Sequence, residues 1–279
     1  MKDNLRQEEK NQERRGKRKQ ELLKTLYFVL GLVLLAAVWE ILHFTLGKSS
    51  GVFPEFFVAL GSMFSLMQEG KTWVNYGYSL LRLTEALGIS LLLGYILGLL
   101  AAFFSPLETV LSPLIYILTA LPTVSIIFLL VIYTKSTSMI LATLISFPLI
   151  YQAVLSGGKN ITLCYSDSLR LEGKHKSHVL FSIYLPLDLP YLALGFMQAF
   201  PLALKSELMG EVFMSTMNFQ GLGHLIHLAY LDLDIERLFG LTLFALLMSL
   251  TVDLVFRLLK FFLCRKTGLE EGKSPYHLI

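Results

Sequence analysis

Three charges, Lys205, Glu207 and Glu211, stand in an otherwise apolar stretch that opens at Leu189 and continues to about Phe213. Ionisable groups inside a membrane-length segment are costly, and they mark solute paths, relays or ion pairs. Glu207 and Glu211 share one helix face at i, i+4, whereas Lys205 lies off that face. Lys205 would attract an anion, with Glu211 as its counter-ion across a dimer. The alternative is a structural ion pair, or side chains reaching back to the membrane surface. Arg82 and Glu85, at i, i+3, read as a local pair, and Glu40 and Asp253 as bundle-facing structural charges. His224 and His227 could face one metal ion, but with no third ligand nearby they read as the lip of a loop beside Gly221-Leu222-Gly223. Cys164 and Cys264 fit neither a metal spacing nor a disulfide framework, and no serine or histidine spacing suggests a nucleophile with its base.

The elements that must position these residues follow from composition. Of 279 residues, 54% are hydrophobic and only 16% charged, against about a quarter charged in average soluble domains. Such a chain lacks the polar surface of a soluble enzyme, a DNA-binding protein or a secreted scaffold. A bilayer core about 30 Å thick needs about 20 mostly apolar residues in a helix. Segments 86–107, 109–134 and 136–158 contain no acidic or basic residue, and 22–46, 189–213 and 238–263 are long enough with few charges. The expected fold class is an all-α integral membrane protein with about six transmembrane helices. Its expected organisation is a basic leader at 1–21, a first span at 22–46 kept as an anchor, an external amphipathic segment at 47–78, a core at 79–263 and a tail at 264–279.

Orientation follows from the basic residues, which concentrate on the cytoplasmic side of membrane proteins. With the N-terminus inside, 18 of the 24 Lys and Arg fall on cytoplasmic segments and four outside. Both ends are therefore expected in the cytoplasm. The leader is expected to fray or to lie on the anionic bilayer surface, and nucleic acid is not expected as a partner. Pro122 and Pro148 free carbonyls that must find partners in neighbouring helices or in water, so packing kinks and gating elements are both open readings. Gly88, Gly94 and Gly98 allow close helix approach.

The loop between the fourth and fifth spans, at 160–186, carries the densest pattern. Ser166 or Asp167 can cap a short helix, Gly173 is a natural stop, and a second helix from about His175 ends before Pro186. Two short helices with an apolar stripe need a partner protein or the membrane surface to cover them.

This loop resembles the cytoplasmic coupling loop of binding-protein-dependent ABC importer permeases, the inner-membrane components of those systems. Asp167-Ser168-Leu169 occupies the Glu-Ala-Ala places of that family, Gly173 falls six residues later, and Leu185-Pro186 follows at the expected distance. Ser168 and Leu169 replace the small Ala pair and Asp167 the longer Glu, which implies a shifted fit to the partner. The resemblance extends from about Tyr78 to Leu263 through Ser79-Leu80-Leu81-Arg82, Leu121-Pro122, Leu189-Pro190-Tyr191 and Gly221-Leu222-Gly223. Lys205 followed six residues later by Glu211 is similar to the nitrate, sulfonate and taurine branch. The resemblance implies a permease fold in a bacterial inner membrane and a dimer of ATP-binding subunits docked on 166–186. It also implies a second permease copy or homologue and an external solute-binding protein. Asp167, Ser168, Leu169, Gly173, Leu185 and Pro186 would couple to the ATPase, and Lys205, Glu207, Glu211 and Pro122 would line the solute path.

No Gly-x-x-x-x-Gly-Lys-Ser/Thr phosphate loop occurs in the chain. The expectation is therefore no cofactor on this chain, with ATP and Mg on the partner subunit, and no enzyme activity of its own. An ion-gradient-driven secondary transporter is the rival, and it would show inverted repeats with paired broken helices. A membrane-embedded enzyme would need a metal or acid–base cluster.

Overall fold

The computed structural model describes residues 2–47, 51, 53–164, 184–215 and 220–267. These form helices α1 (Lys2–Leu42), α2 (Phe56–Gln68), α3 (Gly70–Phe103), α4 (Ser105–Ala120), α5 (Thr123–Tyr133), α6 (Thr137–Cys164), α7 (Leu185–Met214), α8 (Leu222–Leu231) and α9 (Ile235–Thr267). Among the described residues there is no strand. Five helices are long and apolar enough to cross a membrane, or six if the bent pair α4–α5 is one span. The chain is an all-α, multi-pass membrane protein.

The chain divides into two compact units, Met1–Ser62 and Met63–Ile279. In the first, α1 runs without a break from the basic leader into the apolar segment and closes in a π turn at His43–Gly47. The chain then returns onto the end of α1. Trp39 Nε1 donates to the Pro54 carbonyl at 3.1 Å, and its ring meets Phe53 and Phe56. Glu40, expected to face the bundle, is exposed and accepts the Phe56 amide at 3.2 Å. It answers one of the unpaired N–H groups at the start of α2.

The second unit is built on α3, α6 and α7. Gly94 and Gly98, four residues apart on α3, bring that helix close to α6: a Cβ at Gly98 would lie 2.9 Å from Val154 Cβ and 3.0 Å from the Tyr151 carbonyl. Nothing approaches Gly88. On α6, adjacent glycines serve opposite neighbours, Gly157 facing Asp188 and Tyr191 of α7 and Gly158 facing Ala102 of α3. Small residues of this kind let helix backbones meet where lipid provides no hydrophobic driving force. Between these contacts lie clusters such as Leu83, Ala86 and Leu87 with Ala142, Phe200 and Ala203. Ser146 Oγ donates to Ser90 Oγ at 2.7 Å across the α3–α6 seam. The outer faces carry large exposed side chains, Leu92 and Val110 among them, as a lipid-facing surface requires.

Two elements differ from the expected spans. Helix α3 has 34 residues, about 50 Å at 1.5 Å per residue, and it starts 16 residues before the apolar window at 86. Hydropathy missed this part because Lys71, Asn75, Ser79 and Arg82 break up the apolar run; Asn75, Ser79 and Arg82 lie on one helical stripe that bonds other polar groups. The segment 109–134, read as one span, is two helices meeting at 94°. Pro122 disfavours helical backbone at the residue before it, and Leu121 is extended with φ −66° and ψ 131°. Pro148, by contrast, lies inside α6, which continues through it.

Candidate functional site

The polar stripe of α3 meets the end of α7 and the start of α8 in a buried knot. Glu211, on α7, has no solvent exposure. Its carboxylate accepts Ser79 Oγ at 2.7 and 2.9 Å, the Gly223 amide at 2.8 Å, and the Arg82 guanidinium. Arg82 also donates to the Gln220 carbonyl. Asn75 Oδ1 takes the Gly221 amide at 2.9 Å, and Ser79 Oγ takes the Leu222 amide at 2.8 Å.

Three consecutive amides at the start of α8 are thus held by three side chains from two other helices. Helix starts leave such amides without intrahelical partners and carry a partial positive charge, so a carboxylate there is favourable. Both glycines of Gly221-Leu222-Gly223 are needed for the approach rather than for an unusual backbone angle. A Cβ at Gly221 would run into the Glu211 carboxyl, and one at Gly223 would lie 2.6 Å from Glu211 Cβ and from the Leu208 carbonyl.

Glu207 lies one turn earlier on α7, also with no exposure, and neither of its oxygens has a hydrogen-bond partner among the described residues. Ser138 Oγ, on α6 opposite Gly210, is likewise buried without one. At the other end of α7, both oxygens of buried Asp188 also lack partners among the described residues, while Tyr95 Oη donates to the Leu185 carbonyl at 3.0 Å.

The structure therefore brings Glu211 together with Arg82, with Glu207 one turn away on the same helix, and it leaves Lys205 out. Lys205 is exposed and forms no ion pair with any described residue. Among the described residues the cation paired with Glu211 is Arg82, which reaches across to α7. Pro122 stands at the break between α4 and α5, and Leu185 and Pro186 lie in the first turn of α7. Asp167, Ser168, Leu169 and Gly173 lie outside the described residues. His224, in the first turn of α8, is bonded to Ser215 Oγ through Nδ1 at 2.6 Å. Desolvation first, then the charges of Lys71 and His227, hold its pKa below the ordinary histidine value. No three His, Cys, Asp or Glu side chains among the described residues are grouped to hold a metal. Asn75, Ser79 and Arg82 were missed as site residues, although their i, i+4, i+7 spacing is the signal of one polar helix face.

Residues 90–268 match the family described as binding-protein-dependent transport system inner membrane component. The chain belongs to that family. No curated protein is a significant match to it. The protein is thus a transport permease, a channel-forming, multi-pass component of the inner membrane rather than an enzyme. The matched range holds Glu207, Glu211 and the 221–223 turn of this permease, whereas Asn75, Ser79 and Arg82 precede it. The knot ties the family segment to the extended start of α3.

Proposed function

We propose that this permease is the membrane subunit of an ATP-driven ABC importer and forms, with a second copy or a homologue, the path for a small solute delivered by an external binding protein. The observation that carries the reading is the family match over 90–268, a range that contains the pattern Asp167-Ser168-Leu169, Gly173 and Leu185-Pro186. ATP and Mg belong to a partner ATPase dimer docked on 166–186, and both chain ends face the cytoplasm. ATP drives the cycle only if it favours one permease conformation over another. The break at Pro122 and the knot around Glu211 are the elements that such a shift would rearrange.

The proposed solute is a small anion of the nitrate, sulfonate or taurine kind. Lys205 supports this as an exposed cation within a membrane-length helix, free to meet a solute or a second copy. The test is uptake of labelled nitrate, sulfonate and taurine into proteoliposomes holding the permease, its ATPase subunits and the binding protein. ATP-dependent uptake that survives collapse of ion gradients is expected, and gradient-driven uptake without ATP would instead identify a secondary transporter. Lys205→Met should raise the solute concentration needed for half-maximal uptake at least several-fold. Unchanged uptake by that variant removes Lys205 from the path.

A further inference from the structure

We propose that one face of the α6–α7 pair is a membrane-spanning polar track for a small anion, with Gln152 and Gln198 as its mid-membrane station. Both glutamines are exposed, and neither has a hydrogen-bond partner among the described residues. They stand near the midpoints of α6 (Thr137–Cys164) and α7 (Leu185–Met214), more than about 15 Å from either end at 1.5 Å per residue. A carboxamide is too short to reach the membrane surface from there, and in hydrocarbon its donors and acceptor go unanswered. Water, a polar solute or protein must therefore face it. On the outer side of α3 the exposed residues at this depth are Leu92, Leu93 and Ile96, as lipid demands.

The two glutamines share one side of the pair. Gly195 of α7 faces Ala153 and Ile150 of α6, Gly210 faces Ser138, and Gly157 faces Asp188, so the helices run antiparallel in a fixed register. At 3.6 residues per turn, Gln152 is rotated about 100° back from Ala153, and Gln198 about 60° back from Gly195. Because the helices point opposite ways, rotations of the same sense lead to the same side. Helix α3 covers the other side, where Val154 of α6 and Ala203 of α7 meet it. The same rotation places Lys205 on the open side beyond Gln198, and Ser156 and Lys159 beyond Gln152; all three are exposed. Lys205, Gln198, Gln152, Ser156 and Lys159 thus follow one another over about 25 Å, against a bilayer core of about 30 Å.

The charge pattern selects the solute. A lysine stands at each end, and Lys159 is shared with Glu108 of α4 at 2.7 Å. Helix α6 carries no acidic residue, and the acidic residues of α7, Asp188, Glu207 and Glu211, are all buried. An anion on this face meets ammonium and carboxamide N–H donors and no free carboxylate of either helix. Leu194 and Leu202 occupy intervals between the polar groups, which suits a path that must also release its cargo. That the track carries the transported solute rests on the permease reading; its access to water does not.

The test is thiol labelling of the permease assembled with its ATPase subunits and binding protein in proteoliposomes. With Cys164 and Cys264 changed to serine, Gln152→Cys, Gln198→Cys and Ile96→Cys are each treated with a water-soluble anionic methanethiosulfonate and with its cationic counterpart. Ile96 is the lipid-facing control at the level of Gln152, because Gly94 and Gly98 of α3 face Ile150 and Val154 of α6 in turn. Each rate is divided by that reagent's rate with a free thiol in solution. Gln152→Cys and Gln198→Cys should react at least several-fold faster than Ile96→Cys, and relatively faster with the anionic reagent. Equal rates at the three positions overturn the track, and a relative preference for the cationic reagent overturns its selection of anions. Uptake gives a second readout. Gln198→Glu keeps the side chain's size, so it should leave the unfolding midpoint in place while cutting ATP-dependent uptake of a labelled anion at least several-fold. Wild-type uptake by that variant removes Gln198 from the path. If the unmodified complex shows no ATP-dependent uptake, the permease reading fails while the labelling still decides the track.

Discussion

A carboxylate with no solvent exposure is tolerable inside a membrane protein only when donors surround it, and Glu211 has an arginine, a serine and a backbone amide. Removing one partner of such a buried pair typically costs about 3–5 kcal/mol, because the remaining charge is left uncompensated. The neighbouring His224 gives a check by pH. Its pKa is depressed in the fold, so the unfolded chain takes up protons first as pH falls. Stability contributed by the neutral imidazole is full above the unfolded value of about 6.5 and is lost as pH drops through that value toward the folded one. His224→Gln should therefore flatten the fall of the unfolding midpoint between about pH 7 and about pH 5. A wild-type slope retained in that variant would assign the pH response to other groups.

At the scale of elements, the close seam between α3 and α6 sets how rigid the core is. A side chain at Gly98 meets Val154 and the Tyr151 backbone carbonyl, neither of which can swing away as a flexible tip could. Overpacking of this kind costs about 1–3 kcal/mol, so Gly98→Val should lower the unfolding midpoint, while Gly88→Ala, with open space around it, should not. The apolar windows made the spans and the small-residue seam legible in the sequence, because lipid demands both. The start of α3 was not legible, since hydropathy cannot distinguish a polar stripe turned to water from one turned into a knot. The partner of Glu211 was hidden for a related reason. Arg82 and Glu211 are 129 residues apart, and only the antiparallel register of α3 and α7 brings them together. The glycines at 221 and 223 were visible as a motif, but their purpose appears only once the Glu211 carboxyl is seen against them.

For the whole molecule, the family membership joins a transport role to a loop proposed, from its resemblance to the family's coupling loop, to dock the ATPase. That reading makes a prediction about assembly. Gly173→Leu should abolish co-purification of the ATP-binding subunit while the permease itself still inserts and unfolds at its usual midpoint. Unchanged co-purification and uptake would remove Gly173 from the docking surface.

Helix α7 has one further consequence. It is a single element of 30 residues, about 45 Å long, with the segment bearing the coupling pattern leading into one end and the Arg82–Glu211 knot at the other. Such a rod works as a lever: a tilt of about 5° about one end carries the other through about 4 Å at that length. That stroke exceeds the reach of a hydrogen bond. If an ATPase docks on 166–186 as proposed, a small push at that end would be enough to strip the far end of its grip.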